Sequence, residues 1–128
     1  MKDQNHLLEK SYKFALRVVK LYRYLCEERK EFILSKQLVR SGTSVGSNVE
    51  EANGGCSEKD FLVKINIAYK EARETQYWLR LLGDSELLDR NDSDSILNDC
   101  AEILRLSGTI VKTMRNKLSN SQPIIPNP

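Results

Sequence analysis

Apolar residues return every third or fourth position from Leu7 to about Glu28, in two adjoining stripes. One carries Leu7, Phe14, Val18, Leu21 and Leu25 with Ser11 in line; the other carries Leu8, Tyr12, Ala15, Val19, Tyr22 and Cys26. Two stripes side by side make a wide buried face, as a bundle helix with two neighbours needs. A second run repeats from Phe61 through Ile65, Ala68, Ala72, Thr75 and Leu79 to Leu82. Ser57-Glu58-Lys59-Asp60 stands before it as a capping box, with Asp where Glu or Gln is usual, and Gly83 fits a C-terminal cap. A third run starts near Asp92 or Ser93 and carries Ile96, Cys100, Ile103, Ser107, Ile110 and Met114, flanked by Leu97, Leu104, Val111 and Leu118. No stretch alternates with period two over a useful length, so no sheet is expected.

Between the first two runs the chain reads RSGTSVGSNVEEANGG, which local propensity would assign to a turn. Extended back to Phe32, however, it sets Leu34, Leu38, Ser41, Val45, Asn48 and Ala52 on one helical stripe, with Val39, Gly42, Gly46, Val49 and Asn53 beside it. The small residues therefore fall where a helix faces its neighbours. Gly42 and Gly46 form a G-x-x-x-G pair, which clears one face for another backbone. Two interior glycines cost about 2 kcal/mol relative to alanine, which close packing must offset. A phosphate-binding loop is excluded by content, since no strand precedes the stretch and no lysine follows Gly46.

These elements predict an all-α, up-down-up-down four-helix bundle. Its single domain spans 1–118, with helices at about 7–28, 32–53, 57–83 and 93–118 and a disordered tail at 119–128. The expected links are Arg29–Glu31, Asn53–Cys56 and Gly83–Asp92. All three prolines lie in the last six residues, which leaves the rest free for long helices.

Composition adds limits rather than a function. At 40% hydrophobic and 30% charged, the chain has the make-up of a soluble globular domain. Cys26, Cys56 and Cys100 are odd in number and widely spaced, which argues against a disulfide framework or a zinc site. No signal-like segment and no long apolar run occurs, so the expectation is a cytoplasmic protein with no membrane partner.

Catalytic groupings are sparse. His6, the sole histidine, precedes the first stripe, and no Glu-x-x-His motif of a di-iron bundle occurs. No catalytic residue, metal or cofactor is expected, and the chain reads as a non-enzyme. Glu71 and Glu74 share a stripe with Ile67, Trp78 and Leu81, where they would meet a partner surface or pair with Arg40. Arg40, Asn48, Glu51, Lys70, Glu71 and Glu74 are read as polar networks between helices or subunits. Tyr22, Tyr24, Tyr69, Tyr77 and Trp78 exceed what one small core needs, and some are expected at an interface.

Charge distribution says more than the net +2. Lys10, Lys13, Arg17, Lys20 and Arg23 follow one another without an acid, and Arg105, Lys112, Arg115 and Lys117 do the same near the C-terminus. Between Asp84 and Glu102 there are seven acids against one base, Arg90. In an up-down bundle this predicts a monomer basic at the end carrying both termini and acidic at the other. The nine basic residues are the candidates for contacting a phosphate backbone.

QLVRSGTSVGSNVEEANGG followed by DFLVKINIAYKEARETQYWL resembles the bacterial four-helix-bundle family named after proteins encoded in 23S rRNA intervening sequences. The shared pattern includes Gln37, Arg40, Ser41, Ser44, Gly46, Asn48, Glu51, Ala52, Asp60, Phe61, Ala68, Lys70, Glu71, Ala72, Glu74, Thr75, Trp78 and Leu79; Gly42 departs from a commoner alanine. The likeness spans residues 7–118. It implies a bundle assembling as a ring-like homopentamer, with no catalytic activity. The accessory variability determinant of diversity-generating retroelements is a similar protein, and that likeness implies structured RNA or DNA as partner, with a reverse transcriptase or other nucleoprotein component. An interaction adaptor without nucleic acid is the alternative.

Overall fold

The computed structural model describes residues 2–55 and 57–121 as four helices: α1 (Lys2–Glu27), α2 (Leu34–Asn53), α3 (Glu58–Asp84) and α4 (Arg90–Ser121). Each helix touches two others, in the ring order α1, α2, α3, α4 and back to α1. Contacts along each seam run in opposite chain directions. Gly42 meets Val18 and Gly46 meets Ser11 on the α1–α2 seam, while Arg40 pairs with Glu71 and Lys64 with Glu51 between α2 and α3. Ser93 packs on Gly83 and Lys117 reaches Glu58 between α3 and α4; Arg17 pairs with Asp99 and Lys10 with Glu102 between α1 and α4. The architecture is the up-down-up-down bundle expected, and no strand occurs among the described residues.

The core follows the predicted stripes. Leu7, Phe14, Val18 and Leu25 of α1 meet Leu38, Val45 and Val49 of α2, Ile65, Leu79 and Leu82 of α3, and Ile103 and Ile110 of α4, all at most 2% exposed. Its polar members are paired internally. Thr75 Oγ1 donates to Ser41 Oγ at 2.9 Å, and Ser107 Oγ donates to the Ile103 carbonyl at 2.7 Å. No buried side-chain polar atom among the described residues lacks a partner, as a dry helical core requires. The second stripe of α1 is only half covered, leaving Tyr12 61% exposed.

The glycines of α2 set the α1–α2 spacing. A β-carbon at Gly42 would stand 2.7 Å from Val18 Cγ1, and one at Gly46 would stand 3.3 Å from the Ser11 carbonyl oxygen. The first neighbour is a side chain, the second is backbone. Gly46 is therefore where the two helices touch main chain to main chain.

Helix ends depart from expectation in several places. α1 begins at Lys2 rather than Leu7, so His6 is an exposed helical residue and does not precede the helix. α2 begins at Leu34 rather than Phe32, because Lys30 takes a left-handed φ of 54° and the Glu31 N–H reaches back to the Leu25 carbonyl at 2.9 Å. The Glu31 carboxylate then accepts from the N–H groups of Leu34 and Ser35, each at 2.8 Å, and of Ile33 at 3.2 Å. Gly83 is no cap: α3 runs through it to Asp84, and the left-handed residue is Glu86, φ 63°. Gly83 is instead the crossing point with α4, where a β-carbon would meet Ser93 Oγ at 2.7 Å. α4 starts at Arg90, ahead of Asp92, and continues to Ser121, three residues into the expected tail; residues 122–128 and Cys56 lie outside the described residues. Ser57 caps α3 as read, accepting from the Asp60 N–H at 3.0 Å.

Burial raises the Glu31 carboxyl pKa, but the N–H groups of Leu34, Ser35 and Ile33 outweigh it, and the net shift is downward. A carboxyl depressed by folding stabilises above its unfolded pKa and loses that contribution as pH falls through its folded one. Glu31→Gln should cost about 1 kcal/mol at pH 7 by urea denaturation, the size of a lost N-terminal cap, and close to nothing at pH 2. Gly42→Ala should destabilise despite a propensity gain of about 1 kcal/mol, because Val18 is stiff at χ1. Adding Val18→Ala should recover part of the loss; strictly additive urea midpoints would refute that contact. Gly46→Leu should cost about 1–3 kcal/mol in melting experiments, and trimming a neighbouring side chain should not restore it.

Candidate nucleic-acid interface

The basic stripe of α1 lies along the α1–α4 seam, and half of it is answered there. Lys10 Nζ stands 2.7 Å from Glu102 Oε2, and Arg17 Nη1 stands 2.6 Å from Asp99 Oδ2 while Nη2 donates to Ser95 Oγ at 3.2 Å. Lys13 pairs with Glu9, one turn away, at 2.8 Å. The hydrogen bond and charge of Lys10 hold the Glu102 carboxyl below its ordinary range, and Lys13 does the same to Glu9. Such exposed pairs are individually weak, but each sets a carboxylate where an incoming phosphate would sit. Lys20 and Arg23, further along α1, are exposed and enter no ion pair among the described residues.

The C-terminal group is divided in the same way. Lys117 reaches Glu58 of α3 at 3.1 Å, and Arg105 stands 4.0 Å from Glu102. Lys112 and Arg115 are exposed without an ion pair among the described residues, beside Tyr69 and Asn66 of α3. The acids and bases do not separate into two poles. Antiparallel packing brings Glu50, Glu51, Glu58 and Asp60 to the end that carries the basic termini, and the acidic run of α4 extends down to Glu102 beside Lys10. The end-to-end polarity expected from the chain is thus corrected to a difference between faces.

The α2–α3 seam holds the predicted polar network. Arg40 pairs with Glu74 and stands 3.3 Å from Glu71, and its Nε donates to Gln37 at 3.5 Å. Trp78 Nε1 donates to the same Glu74 oxygen at 3.0 Å, so one carboxylate joins a guanidinium to an indole. Lys64 pairs with Glu51 across the seam at 3.3 Å, whereas Asn48, expected between helices, keeps within α2, its Nδ2 donating to the Ser44 carbonyl at 2.9 Å. Tyr77 sits edge-on to Trp78, ring centres 5.1 Å apart, and is half exposed. Lys70 alone of the predicted network residues points to solvent without a hydrogen bond or ion pair among the described residues.

Among the described residues no three His, Cys, Asp or Glu side chains come close enough to hold a metal ion. Burial, with Asp99 nearby, pushes the Cys100 thiol up to about 12, far from a nucleophile's range. No helix of the described residues is long and apolar enough to cross a membrane.

Two exposed arginines, Arg73 and Arg80 of α3, were not singled out by the run of charges along the chain; neither enters an ion pair among the described residues. Their common face is legible only on a helical projection, because Glu71 and Glu74 interrupt them in sequence while facing Arg40 on the other side.

A crystal structure at 1.70 Å of a protein of unknown function from the S23 ribosomal protein family of Bacteroides thetaiotaomicron VPI-5482 is similar to this chain, with 49% identity and a TM-score of 0.84. The likeness covers 86% of this chain and 98% of that one. No curated protein matches. The model of the 23S rRNA-intervening sequence protein family matches residues 3–109, a span that takes in α1, α2, α3 and most of α4. With fold and signature network in agreement, the chain belongs to the 23S rRNA-intervening sequence protein family.

Proposed function

We propose that the protein is a non-enzymatic, cytoplasmic, oligomeric bundle that binds the phosphate backbone of structured RNA or DNA as an accessory to a larger nucleoprotein. The observation that carries this reading is a set of exposed cations without acidic partners among the described residues: Lys20, Arg23, Lys112 and Arg115. Unpaired arginines and lysines on a folded scaffold release counterions when they meet phosphates, which drives binding without base contacts. The family's name, which ties it to an intervening sequence of 23S rRNA, agrees with an RNA context.

Half-exposed Tyr12, Leu16, Val63 and Tyr77 support self-association, with the homopentamer as the proposed state. The same apolar surfaces favour a second reading, in which the bundle captures a protein such as a reverse transcriptase.

Anisotropy of a fluorescein-labelled RNA hairpin across a salt series tests the first reading. Micromolar or tighter binding at low salt is expected, with log K falling linearly in log salt. An absence of binding at 20 mM salt would leave the adaptor reading in place. Light scattering on the eluted protein gives the assembly state independently.

A further inference from the structure

The unpaired cations are not spread evenly, and the richest surface is one that the order of charges along the chain hides. Positions 59, 66, 73 and 80 of α3 are occupied by Lys59, Asn66, Arg73 and Arg80. Seven residues fall about 20° short of two full turns, so these four form one slowly drifting stripe on the helix. Asn66 borders a groove of about 260 Å³ between α3 and α4, lined also by Tyr69, Gly108, Lys112, Arg115 and Asn116. The stripe that includes Arg73 and Arg80 therefore continues the rim that Lys112 and Arg115 supply from α4.

Lys59, Arg73, Arg80, Lys112 and Arg115 are exposed, and none enters an ion pair or side-chain hydrogen bond among the described residues. Of the α3 carboxylates, Glu71 and Glu74 turn to Arg40 of α2, while Glu58 and Asp84, at the two ends of the face, are each paired with a cation of α4, Lys117 and Arg90. On α4, Asp99 and Glu102 face α1. The α1 stripe differs, since Glu9, Asp99 and Glu102 stand within it. Gly108 leaves the groove floor open beside Tyr69, whose Cε1 would be 3.2 Å from a β-carbon there. Asn66 and Asn116 add neutral amide donors suited to phosphate oxygens.

We infer that the α3–α4 face is the surface on which the phosphodiester backbone lies, with Lys59, Arg73, Arg80, Lys112 and Arg115 as its contacts. This rests on the nucleic-acid reading above and specifies its site. From 59 to 80 the stripe rises about 31 Å at 1.5 Å per residue, the axial length of about nine phosphates of one duplex strand. Its polar positions recur about every 10 Å, with the neutral Asn66 between Lys59 and Arg73, so the face matches a continuous backbone and not a single phosphate group.

The test uses the full chain with an RNA hairpin and a DNA hairpin of the same sequence, titrated by anisotropy between 20 and 300 mM salt. Arg73→Gln with Arg80→Gln should weaken binding at least tenfold at about 50 mM salt and flatten the log–log slope by nearly two. Arg73→Lys with Arg80→Lys should retain most of the affinity, since a backbone contact needs charge more than a guanidinium's shape. Lys30→Gln with Lys36→Gln, which removes the same charge elsewhere, should change affinity less than about twofold. Circular dichroism and melting temperature should be unchanged in all three.

If the wild type binds and the two glutamines leave its affinity and slope intact, this face is not the site, while the nucleic-acid reading stands. Equal losses in the Lys30/Lys36 variant would overturn the site in the same way, by showing that only net charge matters. If the wild type binds neither hairpin, both fall together. The hairpin that binds identifies the source of the phosphates, and the loss must appear in that arm.

Discussion

The contact between Gly46 and the Ser11 carbonyl sets the geometry of the bundle. Two helices meet there without a side chain between them, so their separation is a backbone distance and cannot be tuned by rotamers. With α1 drawn this close, Val18 fills the space that Gly42 leaves, and Ser41 turns toward α3. There, the hydroxyls of Ser41 and Thr75 meet beneath Arg40, and the arginine closes over Glu71 and Glu74. A segment whose composition belongs in a loop becomes the most buried helix in character, because its neighbours supply the bulk it lacks.

That arrangement decides which charges remain available. Once Arg40 has taken both carboxylates of the central α3 run, Arg73 and Arg80 on another side of α3 are left without an acidic partner among the described residues. The α1–α4 seam works in the reverse sense, setting Asp99 and Glu102 against the lysines and arginines of α1. One ion-pair network thus draws two acids away from a face while another neutralises a face rich in base. Net charge, which is small, reports neither.

Much of this was legible in the residues and some was not, for definable reasons. Helical periodicity identified the buried stripes of all four helices, since burial on two sides leaves an unambiguous 3.6-residue pattern. Ser57 announced its cap because a hydroxyl before an apolar run has few other uses. Gly83 misled because a glycine near a helix end has two uses, a left-handed turn or a close crossing, and only the position of Ser93 separates them. The α2 start was displaced by Glu31, a capping carboxylate that works from outside the usual cap position. The phosphate-binding candidates were ranked by runs along the chain, whereas ion pairing is settled between helices. Lys10 and Arg17 looked free until α4 stood beside them, and Arg73 and Arg80 looked diluted until Glu71 and Glu74 turned away.

Cys100 sits at the centre of the α3–α4 seam, fully buried, its thiol directed at the Ala72 carbonyl 3.4 Å away. A thiol held protonated and out of contact with water cannot be alkylated until α4 has lifted from α3. Its modification by a dissolved reagent is therefore limited by how often that seam parts, not by the chemistry of sulfur. The molecule carries, at the back of its most basic face, its own clock for local opening.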